Sequence, residues 1–386
     1  MIKIEDKTKC CGCHGCMNVC PSGAITMEED SYGFKYPHVD ESKCINCGLC
    51  EKVCPIINNK TINNEPKAYG CYNKNEEVRL NSSSGGIFTL IAGKIISENG
   101  VVYGAAFDNE FSLKHVRVDN VNDIEKLRTS KYLQSTIGDT YKECKKDLDE
   151  GKYVLYTGTP CQIEGLLSYL MKDYDNLYTQ DIVCHGVPSP KVWKNYLEYR
   201  KSKENDKPIS VNFRNKDNGW ATYNYKINYT NKTYKMNHSE DLYSRAFLAN
   251  IDLRDSCYDC KFKKSHRLSD ITLGDFWGIQ NVLPEMDDNK GTSLIAINSS
   301  KGQALIDSIK DNIVIKEVNY DTFEKYNPSF VKSSSMNNNR DNFMNEINDD
   351  NFNVIVNKYI KKPSLVKKVL RKVKRIIKNN ILKTSP

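Results

Sequence analysis

The sequence predicts an α+β protein in three parts: a cysteine-dense module over residues 1–60, a mixed-sheet α/β domain over 61–335, and a linker with a basic amphipathic helix over 336–386. Three observations predict it. Two spaced cysteine runs fill the segment before residue 56. From residue 68 short apolar runs alternate with segments of helical period, but a hairpin pattern interrupts them, which favours a mixed sheet over a purely doubly wound one. Beyond Asn351 there is no acidic residue, and there are eleven Lys and Arg.

The N-terminal runs are Cys10-x2-Cys13-x2-Cys16-x3-Cys20-Pro21 and Cys44-x2-Cys47-x2-Cys50-x3-Cys54-Pro55. A [4Fe–4S] cube needs four converging thiolates, and one tight Cys-x2-Cys-x2-Cys loop delivers three of them. The fourth must come from elsewhere. In a paired arrangement Cys54 completes the cluster of Cys10, Cys13 and Cys16, while Cys20 completes that of Cys44, Cys47 and Cys50. A single copy would also suit tetrahedral zinc; two copies, each closed by Cys-Pro, predict two [4Fe–4S] clusters. Residues 1–60 thus resemble a bacterial-type two-cluster ferredoxin. Gly12, Gly15 and Gly48 suit backbone packed round an inorganic cube, and Cys11 reads as a bystander thiol.

At 386 residues the chain is too long for a ferredoxin alone. No apolar leader precedes the first ligands, and no apolar run approaches the roughly 18 residues of a membrane span. Fifteen cysteines in a chain of this kind fit metal sites in a reducing compartment, so the protein is expected to be cytoplasmic. The net charge of +7 hides an asymmetry, because the eleven tail charges leave the remainder at −4. That mildly acidic body excludes general nucleic-acid binding, which needs a basic footprint on the folded domain. In the tail, Val366, Val369, Leu370, Val373, Ile376 and Ile377 recur at helical spacing opposite the cations. The pattern suits peripheral attachment to an anionic membrane surface at its inner face; the competing reading is a solvated tail or a helix that docks on an acidic partner.

Residues 58–66 are polar and unpatterned and read as a linker. Strands are expected at 68–72, 101–107, 116–118, 153–156, 177–183, 211–214, 292–298 and 313–318, with a hairpin over 223–236 that turns at 230–232. Helices are expected at 87–96, 123–128, 141–150, 163–171, 190–201, 242–250 and 302–309. The Ser82-Ser83-Ser84-Gly85-Gly86 stretch opens the first of these and can present backbone N–H groups to an anion. Cys161 follows a strand and a tight loop, at the strand end where ligands of open α/β sheets collect.

Of the remaining thiols, Cys71 in a strand and Cys144 on a lysine-rich helix read as inert. Cys161, Cys184 and the Cys257-x2-Cys260 pair all follow element ends. Four such thiols can hold a third [4Fe–4S] cluster, a structural zinc, or nothing.

In order along the chain stand Ser-Ser-Gly-Gly at 83–86, Lys131-Tyr132-Leu133-Gln134-Ser135, Gly158-Thr159-Pro160-Cys161-Gln162, Cys184-His185-Gly186, Cys257-x2-Cys260 and Gly274-Asp275-Phe276-Trp277-Gly278. Together they resemble the beta-subunit family of the hydrogenases and dehydrogenases that use the deazaflavin coenzyme factor 420, over roughly residues 5–330. The resemblance implies a mixed-sheet domain that binds FAD, with a third [4Fe–4S] cluster beside it on Cys161, Cys184, Cys257 and Cys260. It implies flavin contacts from Ser83, Ser84, Gly85, Gly86 and Thr89, from Lys131, Tyr132, Gln134 and Ser135, and from Thr157, Gly158, Thr159, Pro160 and Gln162. The amides of Gly85 and Gly86 would suit the diphosphate. Lys131 would face the diphosphate or the charge that develops on the ring, or else be a solvated surface lysine. His185 would supply a proton at the flavin edge or simply support a neighbouring ligand, and Trp277 would stack on a ring or belong to the core. Lys131 and His185 are therefore the catalytic candidates.

The expected function is that of an iron–sulfur flavoprotein oxidoreductase passing electrons between ferredoxin, or another one-electron carrier, and a small organic substrate. The alternative is an electron-transfer subunit of a larger complex, which could act on the deazaflavin coenzyme. A built-in ferredoxin module departs from the dedicated coenzyme-reducing subunits and favours the first.

Overall fold

A computed structural model describes residues 1–362, so the expected tail helix over 366–377 lies outside the described residues. The N-terminal module is a short antiparallel hairpin, β1 (Ile25–Glu29) and β2 (Lys35–Val39), flanked by the two cysteine loops. The domain that follows is built on eight strands: β3 (Lys67–Asn73), β4 (Val101–Phe107), β5 (Leu113–Val118), β6 (Val154–Thr157), β7 (Leu177–Ile182), β11 (Ile271–Asp275), β12 (Ser293–Ile297) and β13 (Ile313–Val318). Their order is β13-β3-β12-β11-β7-β6-β4-β5. The four central strands, β11, β7, β6 and β4, pair parallel, and antiparallel strands flank them on both sides. The sheet is mixed, as the sequence predicts.

Strand alternation assigns the two faces. Val102, Ala106 and Leu155 pack with the helix Ile87–Ser97, whose Ile87, Ile91, Ala92 and Ile95 are buried at helical spacing. Each of those isoleucines contributes about 1.5–3 kcal/mol of burial. Val101, Tyr103, Val154 and Tyr156 face the other way, toward the helices Thr140–Asp149 and Pro160–Leu170. Cys71 and Cys144 are both fully buried in these two cores.

Between β7 and β11 the chain inserts a three-stranded antiparallel sheet, β8 (Ser210–Asn215), β9 (Asn224–Asn228) and β10 (Thr233–Asn237), in the order β10-β9-β8. It shares an aromatic core with the helices Pro190–Glu204 and Leu242–Leu248. Here the structure departs from the sequence reading. Residues 340–360 are not a linker: the helices Arg340–Glu346 and Phe352–Tyr359 bury Phe343, Met344, Phe352, Ile355 and Val356 in that same core. Asn-rich flanks mask the apolar spacing of two short helices. Among the described residues no helix is long and apolar enough to cross a membrane.

Candidate functional site

The first cysteine loop is drawn against the large domain. Cys10, Cys13, Cys16 and Cys54 line one small cavity with Cys11 and Ile56, so the thiol from the second run joins the three of the first. Burial pushes the thiols of Cys10, Cys16 and Cys54 up, while backbone N–H groups of Gly12, Gly15, Met17, Ile56 and Ile57 point at the sulfurs. Such N–H···S bonds favour the thiolate form that a cluster requires. The loop is wedged onto the helix Pro160–Leu170 through Gly165, where a Cβ would lie 2.7 Å from the Cys13 Cβ.

The second set is looser. Cys20 and Cys50 pack around Ile2 and Ile25, the Ile2 N–H donates to Cys50 Sγ at 3.4 Å, and the N-terminal ammonium lies near Cys44 and Cys50. Cys47 is exposed. Among the described residues no three His, Cys, Asp or Glu side chains converge tightly enough for a single metal ion. Thiols set apart around a cavity fit the larger cube better than a zinc ion.

The third set comes from three segments: Cys161 in the first turn of the helix Pro160–Leu170, Cys184 just after β7, and Cys257 with Cys260 in one loop. The Cys184 thiol lies near those of Cys257, Cys161 and Cys260, and burial pushes it up; Cys257 is pushed up to about 12 by burial, with Cys260 and Cys161 beside it. The Val187 N–H donates to Cys257 Sγ at 3.5 Å. Cys11 is no bystander to this arrangement: its buried thiol packs with Cys13, Cys161 and Cys260 and so touches the first set and the third.

Beyond Cys184 opens a cavity of about 470 Å³ at the carboxyl ends of the parallel strands, with Thr157, Ile182, Gly274 and Asp275 in its wall. Its size and position are those of a small-molecule site in an open α/β sheet. Of the residues expected at a flavin, Ser83, Ser84, Gly86, Lys131, Tyr132, Ser135, Thr157, Gly158, Thr159, Gln162 and Trp277 line it, together with His185. Four lie outside the lining. The Gly85 N–H is spent on Ser293 Oγ at 2.9 Å, so it is not free for a diphosphate. Thr89 Oγ1 accepts from Arg128 Nε at 3.2 Å, Gln134 bonds to Arg254 and to the Cys11 carbonyl, and Pro160 is buried as the first residue of its helix.

Lys131 donates to the carbonyls of Leu127, Arg128 and Thr129 at 2.9–3.2 Å, and burial pushes its ammonium down to about 7. His185 Nε2 bonds Asn250 Oδ1 at 2.6 Å, and burial lowers its pKa, so it is neutral near pH 7. Trp277 lies face to face with Trp220, ring centroids 4.6 Å apart.

Sequence reasoning misses several cavity residues. His115 is buried, is pushed down to about 4 and joins Thr157 O at 2.9 Å and Ser135 Oγ at 3.0 Å; Gln162 Nε2 donates to the same hydroxyl at 2.9 Å. With Nε2–H given to a carbonyl, His115 Nδ1 accepts from Ser135, so one tautomer is fixed. Arg214 pairs with Asp275 at 3.0 Å, lies 4.0 Å from the centroid of the Tyr223 ring, and leaves its Nε without a protein partner. No spacing marks these residues, because each reaches the cavity from a different element.

Two stretches of the chain match known families. Residues 151–322 match the family of the C-terminal part of the beta subunit in Coenzyme F420 hydrogenase/dehydrogenase. The beta-subunit resemblance holds. A 4Fe-4S dicluster domain matches residues 9–57 ahead of it, so a two-cluster iron–sulfur module precedes the segment that resembles the beta subunit. A curated relative, the coenzyme F420-dependent sulfite reductase of Methanocaldococcus jannaschii, is 27% identical over 196 residues, which is 49% of this chain but only 30% of that longer protein. Among solved structures, a chain of the F420-reducing [NiFe] hydrogenase complex of Methanosarcina barkeri aligns with a TM-score of 0.48 and 15% identity, over 69% of this chain and 88% of that one.

Proposed function

We propose that the protein is an iron–sulfur flavoprotein oxidoreductase, which passes electrons between ferredoxin or a similar one-electron carrier and a small organic substrate. The observation that carries the reading is the packing series in which Cys20 and Cys50 of the outer set meet Cys16 and Cys54 of the inner one, Cys13 and Cys11 meet Cys161 and Cys260, and Cys184 lines the cavity. Cys161, Cys184, Cys257 and Cys260 would hold a third [4Fe–4S] cluster. FAD, when bound in the cavity, supplies the exchange between one-electron and two-electron chemistry.

The cavity fits such a ligand. Arg128, Lys131 and Arg214 line it against the single carboxylate Asp275, a surplus of cations that suits a diphosphate, and the free Arg214 Nε offers a donor. Ser83, Ser84 and Gly86 border it at the start of the helix Ile87–Ser97. Tyr223 and Trp277 line it as well. Lys131, poised near neutrality, can lend or withdraw a proton's charge at the ligand, and the neutral His185 can pass one at the cavity wall beside Cys184.

Purification without air, with iron, sulfide and flavin measured together, tests the reading: about twelve irons and one flavin per chain are expected, and iron without flavin would refute the flavoprotein. A second reading, an electron-transfer subunit or segment serving a larger enzyme, is favoured by the match to under a third of a longer relative. Turnover of a small molecule by the purified chain with reduced ferredoxin separates the two, because the second reading expects none until a partner protein is added.

A further inference from the structure

Arg254 is completely buried, yet none of its hydrogen bonds goes to a carboxylate. Nε donates to Cys10 O at 2.8 Å, Nη1 to Gln134 Oε1 at 3.0 Å and Nη2 to Lys35 O at 3.0 Å, with Cys10 Sγ 3.6 Å from Nη2. The guanidinium lies 4.2 Å from the centroid of the Tyr36 ring, a neutral phenol whose pKa burial raises. Most other buried arginines among the described residues are treated differently: Arg79 pairs with Asp288, Arg200 with Glu204, Arg214 with Asp275, Arg267 with Asp181 and Arg340 with Asp255, while Arg245, which also lacks a carboxylate, bonds Asn357 and the Ile360 carbonyl and faces no thiol set. A lone buried cation is costly unless an anion is close. The groups beside Arg254 that would be negative as cluster ligands are the sulfurs of Cys10, 3.6 Å away, and Cys257, one from the first thiol set and one from the third, with the Cys11 thiol between the two sets.

The first loop is shaped to admit this cation. At Gly12, with φ of 68°, a Cβ would stand 2.7 Å from Gln134 Nε2 and 2.9 Å from Arg254 Nη1. Only glycine accepts both the left-handed backbone and the approach of the guanidinium.

We propose that Arg254 is the fixed counter-ion between the first and third thiol sets, and that it raises the reduction potential of the cluster held by Cys10, Cys13, Cys16 and Cys54. The inference rests on the cluster assignment of the proposed function. Reduction adds one electron from the external carrier and takes the thiolate-ligated cube from a net charge of −2 to −3; no proton moves, because the guanidinium is charged before and after. A cation beside the cube stabilises the more negative form. Arg254 is a positioning charge, not a catalytic residue.

The test uses the full chain, prepared without air, in a Cys47→Ser background that removes the exposed cluster's signal. Redox titration followed by electron paramagnetic resonance should show the Arg254→Gln cluster about tenfold harder to reduce at a given potential, about 59 mV for a one-electron couple. Arg254→Lys should recover most of that shift. Gln134→Glu keeps the arginine but sets a carboxylate against Nη1, and should shift the potential the same way. If Arg254→Gln loses its iron, Gln134→Glu decides alone. An unshifted potential in iron-replete Arg254→Gln or in Gln134→Glu overturns the proposal, whereas iron-free parent protein would overturn the cluster assignment instead.

Discussion

The two cysteine loops have the same backbone path and opposite surroundings. In the first, left-handed residues stand at Gly12 (φ 68°) and His14 (φ 61°); at the matching places in the second stand Asn46 (φ 54°) and Gly48 (φ 73°). The positions agree but the residues are exchanged. Asn46 is tolerated because asparagine enters the left-handed region at low cost when its short polar side chain bonds locally, here with Cys44 Sγ at 3.7 Å. Gly12 has no such freedom, since Gln134 and Arg254 press on it, while a Cβ at Gly48 would meet nothing within 4 Å. His14, 4% exposed, is pushed down to about 3 by burial and so stays neutral. The loop geometry follows from the cube; the residue choice follows from what lies outside it. One loop is part of the core of the large domain, the other of its surface.

The sharpest way to break this comparison is to remove one ligand from each set. Cys54→Ser and Cys47→Ser should each cost about four irons, but Cys54→Ser should also lower the apparent Tm by several degrees more, because the first set is wedged between Arg254 and the helix Pro160–Leu170. Equal Tm values would mean the first loop is no more integral to the fold than the second. Cys257→Ser should likewise lose about four irons while both N-terminal signals persist.

A half-buried cation without sulfur neighbours provides the control. Lys131, at about 7 in the fold against 10.5 unfolded, leaves the unfolded chain holding a proton that the fold lacks between those values. Unfolding free energy should therefore rise with pH across roughly 7–10.5, by at most about 1.4 kcal/mol per unit. Denaturant melts of Lys131→Met should show a flatter slope in that window. An unchanged slope would mean Lys131 is solvated.

Exchanging the loops' residues gives the smaller effects. Gly12→Asn, which copies the second loop into the first, should destabilise by about 1–3 kcal/mol through overpacking, measured as a shift in urea midpoint. Asn46→Gly, the reverse copy, should stay within about 0.5 kcal/mol.

Much of this is legible in the chain. The period-two and helical runs mark seven of the eight strands of the mixed sheet, most of them near their observed bounds, because each buries a face; β11 (Ile271–Asp275) escapes the pattern, and β5 starts at Leu113 rather than at 116. The Cys-x2-Cys-x2-Cys-x3-Cys-Pro spacing marks both loops and the crossing of Cys54 to the first set. The rest is hidden for a physical reason. His115, Arg214 and Arg254 act through partners 20 to more than 200 residues away, and no local pattern records such contacts. Gln134 reads as a ligand contact because it sits in a motif with Lys131 and Ser135, but its side chain turns away from the cavity toward Cys11 and Arg254. The helices over 340–360 read as a tether because Asn and Asp dominate their flanks, although their few apolar residues seal the aromatic core.

Ile45 is 64% exposed beside the exposed Cys47, so the outermost corner of the second loop is open to anything that diffuses. Dioxygen reaches it as readily as a docking protein does. Damage in air should begin there and travel inward, and the guanidinium-clamped neighbour should outlast it, which makes the outer loop both the doorway and the fuse.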